Sequence, residues 1–196
     1  MLSIRGRRRP KLRLVGKNVP TVDVFITCCK EDVDIVLDTT RAACAVDYPQ
    51  DRFRVVVLDD GKDAELEKAI EDLSQEYPNL YYHARIKIKG VPHHFKAGNL
   101  TGGTDFVTRV EGGEGEFIAA LDADMIPEPD WLRAIIAHMV NDSEMALVCP
   151  PQVSLLHVIA IFIANDTLAI LQYSVHGRPR TSYLQPLEGF LFIRLD

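Results

Sequence analysis

Phe117-Ile118-Ala119-Ala120-Leu121-Asp122-Ala123-Asp124 is a short apolar run that ends in two carboxylates one residue apart. A continuous apolar run of this length reads as a buried strand. In open α/β proteins ligands bind outside the carboxyl ends of the strands. Two aspartates at such an end form a hard, oxygen-only site, which suits Mg2+ or Mn2+ carrying a phosphate. The chain repeats the design earlier: Phe53-Arg54-Val55-Val56-Val57-Leu58 runs into Asp59-Asp60-Gly61. Two such strands in one domain point to a nucleotide-phosphate site.

Working outward, the same pattern organises most of the chain. Strands are predicted at Val22–Cys28, Phe53–Leu58, Leu80–Ala84, Phe117–Leu121 and Met145–Cys149. Helices are predicted at Asp32–Val46, Ala64–Tyr77, Lys96–Val107, where Gly102-Gly103 weakens the pattern, and Pro129–Val140. Glu111-Gly112-Gly113-Glu114-Gly115 reads as a flexible surface loop. Alternating strands and helices with short links predict an α/β fold, a mostly parallel sheet with helices on both faces. Three segments result: a basic lead-in over 1–20, a nucleotide-binding domain over 21–152, and a tail over 153–196 without a clear period. Val153–Leu171 is apolar but interrupted by His157 and Asn165-Asp166, too polar at its middle for a membrane span.

Composition narrows the function classes. The 196 residues suffice for one domain with a core. The net charge of −6 excludes nucleic-acid binding by overall charge. That charge is uneven. Arg5, Arg7, Arg8, Arg9, Lys11, Arg13 and Lys17 precede the first acidic residue, Asp23, and leave 15 basic against 28 acidic residues beyond them. The basic block reads as a solvated tail, or as a segment lying against an anionic membrane surface. Cys28, Cys29, Cys44 and Cys149 show no metal-ligand spacing, so most are expected to pack as small apolar side chains in a reducing compartment.

Two further constellations complete the candidate site. Lys96, at a helix start beside Ala97 and Gly98, can meet a pyrophosphate by charge and by backbone amides. Thr27 and Glu31 flank the loop after the first strand, where a nucleotide base would be covered. Asp59 or Asp60 can accept from the N3–H of a uracil ring, while Gly61 allows a tight turn. His93-His94 is a weak metal signal.

Taken in order, these segments resemble the family 2 glycosyltransferases of the GT-A fold, and in particular their cellulose-synthase-like members. Leu58-Asp59-Asp60-Gly61 matches the first aspartate motif. Lys96-Ala97-Gly98-Asn99-Leu100 matches a segment typical of that subgroup, and Asp122-Ala123-Asp124 matches the DxD. The resemblance covers about Val22 to Gln152. It implies a Rossmann-like GT-A domain incomplete at its C-terminus, a UDP-sugar donor, and a Mg2+ or Mn2+ ion. It further implies inverting hexosyl transfer to a glycan or other hydroxyl acceptor at the cytoplasmic face of a membrane. Thr27, Glu31, Asp59, Asp60, Lys96 and Asp122 would bind the nucleotide sugar, and Asp122 with Asp124 the metal.

The family's later Glu-Asp base motif and its Gln-x-x-Arg-Trp motif do not occur in these 196 residues. Asp166 and Glu188 are carboxylates without matching context, so the catalytic base is unassigned. The alternative function is therefore a non-catalytic UDP-sugar-binding module. A haloacid-dehalogenase-type phosphatase would place Asp122-Ala123-Asp124 on its first strand rather than its fourth. A nucleotidyltransferase would carry a glycine-rich loop where Val22–Glu31 has no glycine. Val153-Ser154 is also what an in-frame splice donor encodes, which gives the expectation that the sequence from Val153 onward is translated intron or frame-shifted sequence.

Overall fold

The computed structural model describes residues 10–87, 90, 92–149 and the strand 190–194. Residues 1–9 and most of the tail, including Asp166 and Glu188, lie outside the described residues. The elements, in chain order, are β1 (Val22–Cys28), α1 (Val33–Cys44), β2 (Phe53–Asp59), α2 (Ala64–Ser74), β3 (Leu80–His83), α3 (Phe95–Val107), β4 (Phe117–Asp122), α4 (Trp131–Asn141), β5 (Leu147–Val148) and β6 (Phe190–Arg194). The predicted elements are all present, with ends shifted by a few residues.

The sheet order is β3-β2-β1-β4-β6-β5. The first four strands are parallel. β1 lies at the centre and every one of its seven residues is buried, as expected for a strand covered on both faces. Alternate side chains of the strands feed two cores. Val24, Ile26, Val55, Val57, Ala119 and Leu121 join residues of α1, α2 and α4 in the larger one. Phe25, Val56, Leu58 and Ile118 join Val107 of α3 in a smaller one. Among the described residues, three helices therefore cover one face and α3 covers the other.

α3 can come this close because of Gly103. A Cβ there would stand 2.6 Å from Leu58 Cδ1 and 3.2 Å from the Phe25 ring. The Gly102-Gly103 pair read as a weakness in the helix, but it is where the helix docks. α3 is unbroken through it.

The Met145–Cys149 strand is present as β5, Leu147–Val148, at one edge of the sheet. β6 lies between β4 and β5, antiparallel to both. A strand from the tail was missed, although Phe190-Leu191-Phe192-Ile193 is itself a short apolar run. It pairs with β4 from Phe117↔Arg194 to Leu121↔Phe190.

Residues 10–20 are not a loose tail. Leu14 and Arg133 exchange backbone and side-chain hydrogen bonds, Arg13 pairs with Asp47 and Asp130, and Val19 enters the core. Arg13, one of the basic residues of this block, is matched by carboxylates distant in sequence, which charge counting along the chain does not see.

The Glu111–Gly115 loop is likewise tied down. Gly115 donates its N–H to buried Asp23, and Arg54 grips the carbonyl of Gly113. Finally, of the four cysteines Cys28 and Cys44 are buried, Cys149 is intermediate and Cys29 is exposed. Burial first, then neighbouring carboxylates, raises the Cys28 thiol pKa, and the Cys44 thiol is pushed up to about 12.

Candidate donor-binding site

Register brings the predicted residues together. Thr27 is paired with Asp122 across β1–β4, and Cys28 with Asp59 across β1–β2. The acidic ends of β2 and β4 therefore flank the end of β1 on one edge of the sheet. The start of α3 stands over the same edge, because Lys96 is ion-paired with Asp122.

Each residue takes a distinct part. Asp59 is 1% exposed, and its carboxylate accepts from Gly61 N at 2.7 Å, Asp63 N at 2.7 Å and Tyr82 Oη at 2.8 Å. Its main work is to close the turn after β2. Burial, then the bond to Asp59, pushes the Tyr82 phenol pKa up, which keeps it a hydrogen-bond donor. Gly61 is needed there for space rather than for its torsion. A Cβ would meet Lys30 N at 3.0 Å and Asp59 Oδ1 at 3.1 Å. The left-handed torsions instead fall on Lys30 and Lys62, at φ 68° and 58°.

Asp60 is 7% exposed and faces cations. Arg85 donates Nε to one carboxylate oxygen at 2.7 Å and Nη2 to the other at 3.2 Å. Lys87 lies at 3.6 Å and His93 Nε2 at 3.3 Å. Burial alone would raise the Asp60 carboxyl pKa. The Arg85 hydrogen bonds and charge, with help from Lys87 and His93, outweigh it and hold the pKa below the ordinary carboxylate value. Arg85, Lys87 and Tyr82 were not singled out from the sequence. An arginine within two residues of a strand end was the available signal.

At β4, Thr27 donates its hydroxyl to Leu121 O at 3.3 Å and reaches Asp122 Oδ1 at 3.4 Å. Thr39 of α1 donates to Ala123 O at 2.7 Å and fixes the turn that carries both aspartates. Asp124 is exposed, and no hydrogen bond or ion pair among the described residues engages it. Glu31 is also exposed, and its carboxylate accepts from the backbone N–H of Cys29, so it shapes its own loop. His94 is exposed, and no group of three or more metal-ligating side chains occurs among the described residues. The weak His93-His94 metal signal therefore gains no support.

α3 enters this site in an unusual way. α1 and α2 begin with aspartate caps, Asp32 and Asp63. α3 has no side-chain cap, and two consecutive residues, His94 and Phe95, hold left-handed torsions of 56° and 41°. Each costs about 1–2 kcal/mol for an L-residue and persists only where the surroundings enforce it. Asn99, 2% exposed, secures the next turn by donating Nδ2 to Leu58 O at 2.8 Å.

Fold and site together define a class: a GT-A-like α/β domain that presents carboxylates and a lysine at the carboxyl ends of its parallel strands. The chain belongs to glycosyl transferase family 2, whose family model matches residues 23–156. A cellulose synthase catalytic subunit [UDP-forming] from Komagataeibacter sucrofermentans is 33% identical over 132 residues, 67% of this chain and 16% of that protein. A probable glucomannan 4-beta-mannosyltransferase 11 from Oryza sativa subsp. japonica is 36% identical over 109 residues, 55% of this chain and 18% of that protein. This chain thus matches less than a fifth of the length of either relative.

Among solved structures, a mannosyltransferase from Pyrobaculum calidifontis in complex with GDP-Man and Mn2+ superposes with a TM-score of 0.56 at 19% identity. The match covers 74% of this chain and 39% of that one. S. aureus TarS in complex with UDP-GlcNAc superposes with a TM-score of 0.50 at 18% identity, covering 69% and 35%. These likenesses establish the fold.

Proposed function

We propose that this domain holds a UDP-sugar and a divalent cation, and supplies the donor half of an inverting hexosyltransferase acting on a glycan or other hydroxyl acceptor. The observation that carries the reading is the convergence of Thr27, Asp59, Asp60, Lys96, Asp122 and Asp124 on one sheet edge. On this reading Asp59 closes the base-side turn. Asp60, backed by Arg85, offers lone pairs to the N3–H of uracil. Thr27 and Glu31 border the same end. Lys96, ion-paired with Asp122, would meet the diphosphate by its charge.

Asp122 and Asp124 fit a hard cation. Their donors are all oxygen, and Asp124 is exposed and unengaged by the described residues. Held by Asp122 and Asp124, Mg2+ or Mn2+ would supply Lewis-acid stabilisation of the charge that develops on the departing UDP. Lys96 adds a fixed positive charge at the same place, which is electrostatic stabilisation of the leaving group.

The cellulose synthase and the glucomannan mannosyltransferase among the relatives support a polysaccharide acceptor, and the cytoplasmic face of a membrane is part of the same proposal. Among the described residues, no helix is long and apolar enough to cross a membrane. A second reading, a non-catalytic UDP-sugar-binding module, requires only the donor-site residues and no base. Turnover of any acceptor by this chain would exclude it.

The test is calorimetric titration of the chain with UDP, with and without Mn2+, beside the double variant Asp122→Asn/Asp124→Asn. The expected result is Mn2+-dependent binding that weakens by at least about 100-fold in the variant, the loss of a metal and its charge-assisted contacts. A wild-type chain that is folded by circular dichroism and does not bind UDP with Mn2+ overturns the reading.

A further inference from the structure

Arg85 spends its hydrogen-bonding capacity on two segments that the sequence separates. Toward β2 it forks onto both carboxylate oxygens of Asp60. Toward α3 it donates Nη1 to His93 O at 2.8 Å and Nη2 to Phe95 O at 3.1 Å. Its Nη2 also lies 3.0 Å from the His93 ring. Its side chain is only 16% exposed. The carbonyls it holds bracket the two residues with left-handed torsions, His94 and Phe95, and the next residue is Lys96. One turn further, Gly98 lies against the same guanidinium. A Cβ at Gly98 would collide with Arg85 Nη1 and with His93 O.

We infer that Arg85 is a positioning residue that couples the two ends of the donor site, holding the strained entry of α3 against Asp60 so that Lys96 is presented to the diphosphate. The inference rests on the donor-site reading above and adds to it. Arg85 acts on the phosphate end through backbone carbonyls, and its guanidinium contacts neither Lys96 nor Asp122 among the hydrogen bonds it makes. The coupling depends on the planar fork. A carboxylate and two carbonyls are bridged at once by a guanidinium, whereas an ammonium on a flexible stem has no such fixed geometry. α3 has no side-chain cap, and among the described residues Arg85 is the side chain that holds the His93 and Phe95 carbonyls.

The test compares wild type, Arg85→Gln, Arg85→Lys and Asp60→Asn, each as the full chain and each checked by circular dichroism. Two quantities are read: amide hydrogen exchange over residues 95–99 without ligand, and affinity for inorganic pyrophosphate with Mn2+. The inference expects exchange over 95–99 to rise about tenfold or more in Arg85→Gln, with α1 unchanged as the internal reference. It expects pyrophosphate with Mn2+ to bind about tenfold more weakly in the same variant. Arg85→Lys behaves like Arg85→Gln, because charge alone does not restore the fork. Asp60→Asn, which keeps Arg85 on the α3 carbonyls, shows an intermediate rise in exchange.

Exchange over 95–99 that stays at the wild-type level in a folded Arg85 variant overturns the inference. So does raised exchange with unchanged pyrophosphate affinity, since Arg85 would then hold the helix without serving the site. If Arg85→Gln does not fold, Arg85→Lys and Asp60→Asn give the same two readings. A folded wild type that binds neither UDP nor pyrophosphate removes the donor-site reading and, with it, the coupling. The exchange data then still report whether Arg85 holds α3.

Discussion

Asp23 and Asp122 stand at opposite ends of the neighbouring strands β1 and β4, and their surroundings differ in one respect. Asp23 is 1% exposed, with one oxygen on Arg54 Nε at 2.7 Å and the other on Gly115 N at 2.7 Å. Arg54 in turn caps the carbonyls of Gly113 and Glu111. At the other end the Asp122 side chain is 25% exposed, meets only Thr27 and Lys96 among the described residues, and is followed by unengaged Asp124. The first end is charge-balanced and closed upon itself. The second keeps acidic oxygens and a lysine in reserve.

A hollow of about 340 Å³ opens at the closed end, lined by residues such as Asp51, Arg52, Tyr81 and Glu111. Its volume does not make it the candidate site, because Asp23 and Arg54, the buried charges on its wall, are already paired with each other. Carboxylate oxygens that no described residue engages, as at Asp124, are the better sign of a ligand than a hollow whose buried carboxylate is already paired.

Three changes sharpen the contrast beyond the Asp122/Asp124 double variant. The largest effect is expected from Asp23→Ala. It leaves Arg54 and the Gly115 N–H without their acceptor in a buried setting, which costs about 3 kcal/mol. Urea unfolding should report that loss, while the folded fraction keeps its Mn2+-dependent UDP affinity. A drop in UDP affinity would mean that the two ends are not independent.

Gly103→Val comes next. The added side chain overlaps Leu58 and Phe25 and should cost about 2 kcal/mol by overpacking. By pushing α3 outward it should also weaken UDP binding, so it links stability to the open end in a way Asp23→Ala does not. Unchanged UDP affinity in a destabilised Gly103→Val chain would show that α3 can shift without moving Lys96.

The smallest effect is the pH dependence of the Asp60–Arg85 pair. The folded Asp60 carboxyl pKa lies below its ordinary value of 3.8. Its contribution to stability is therefore present above about pH 3.8, the unfolded value. It is lost as the pH falls through the lower folded value. Melting temperature followed from pH 6 to pH 2.5 should fall less steeply in Asp60→Asn than in wild type. Parallel curves would show that the pair adds no pH-dependent stability.

Much of this was legible from the chain because its signals are local. The apolar runs at Val22–Cys28, Phe53–Leu58 and Phe117–Leu121 are strands by length and composition alone, and the aspartates that end two of them fall at the functional edge by the rule for parallel strands. Lys96-Ala97-Gly98-Asn99-Leu100 was recognised as a motif. Its internal division of labour was not visible: Lys96 at the site, Gly98 against Arg85, Asn99 into the sheet on Leu58.

What only the tertiary structure decided is pairing across distance. The place of β6 between β4 and β5 depends on a strand more than 60 residues downstream of β4. The ordering of residues 10–20 depends on Asp47, Asp130 and Arg133. The choice of Arg85 as partner for Asp60, and of Gly61 for its clearance rather than its torsion, depends on neighbours brought in by the fold. Periodicity and strand-end chemistry are properties of consecutive residues, so the sequence carries them in the open. Charge partners, close approaches and sheet order are set by which surfaces meet once the chain has collapsed, and a linear reading contains the residues but not their encounters.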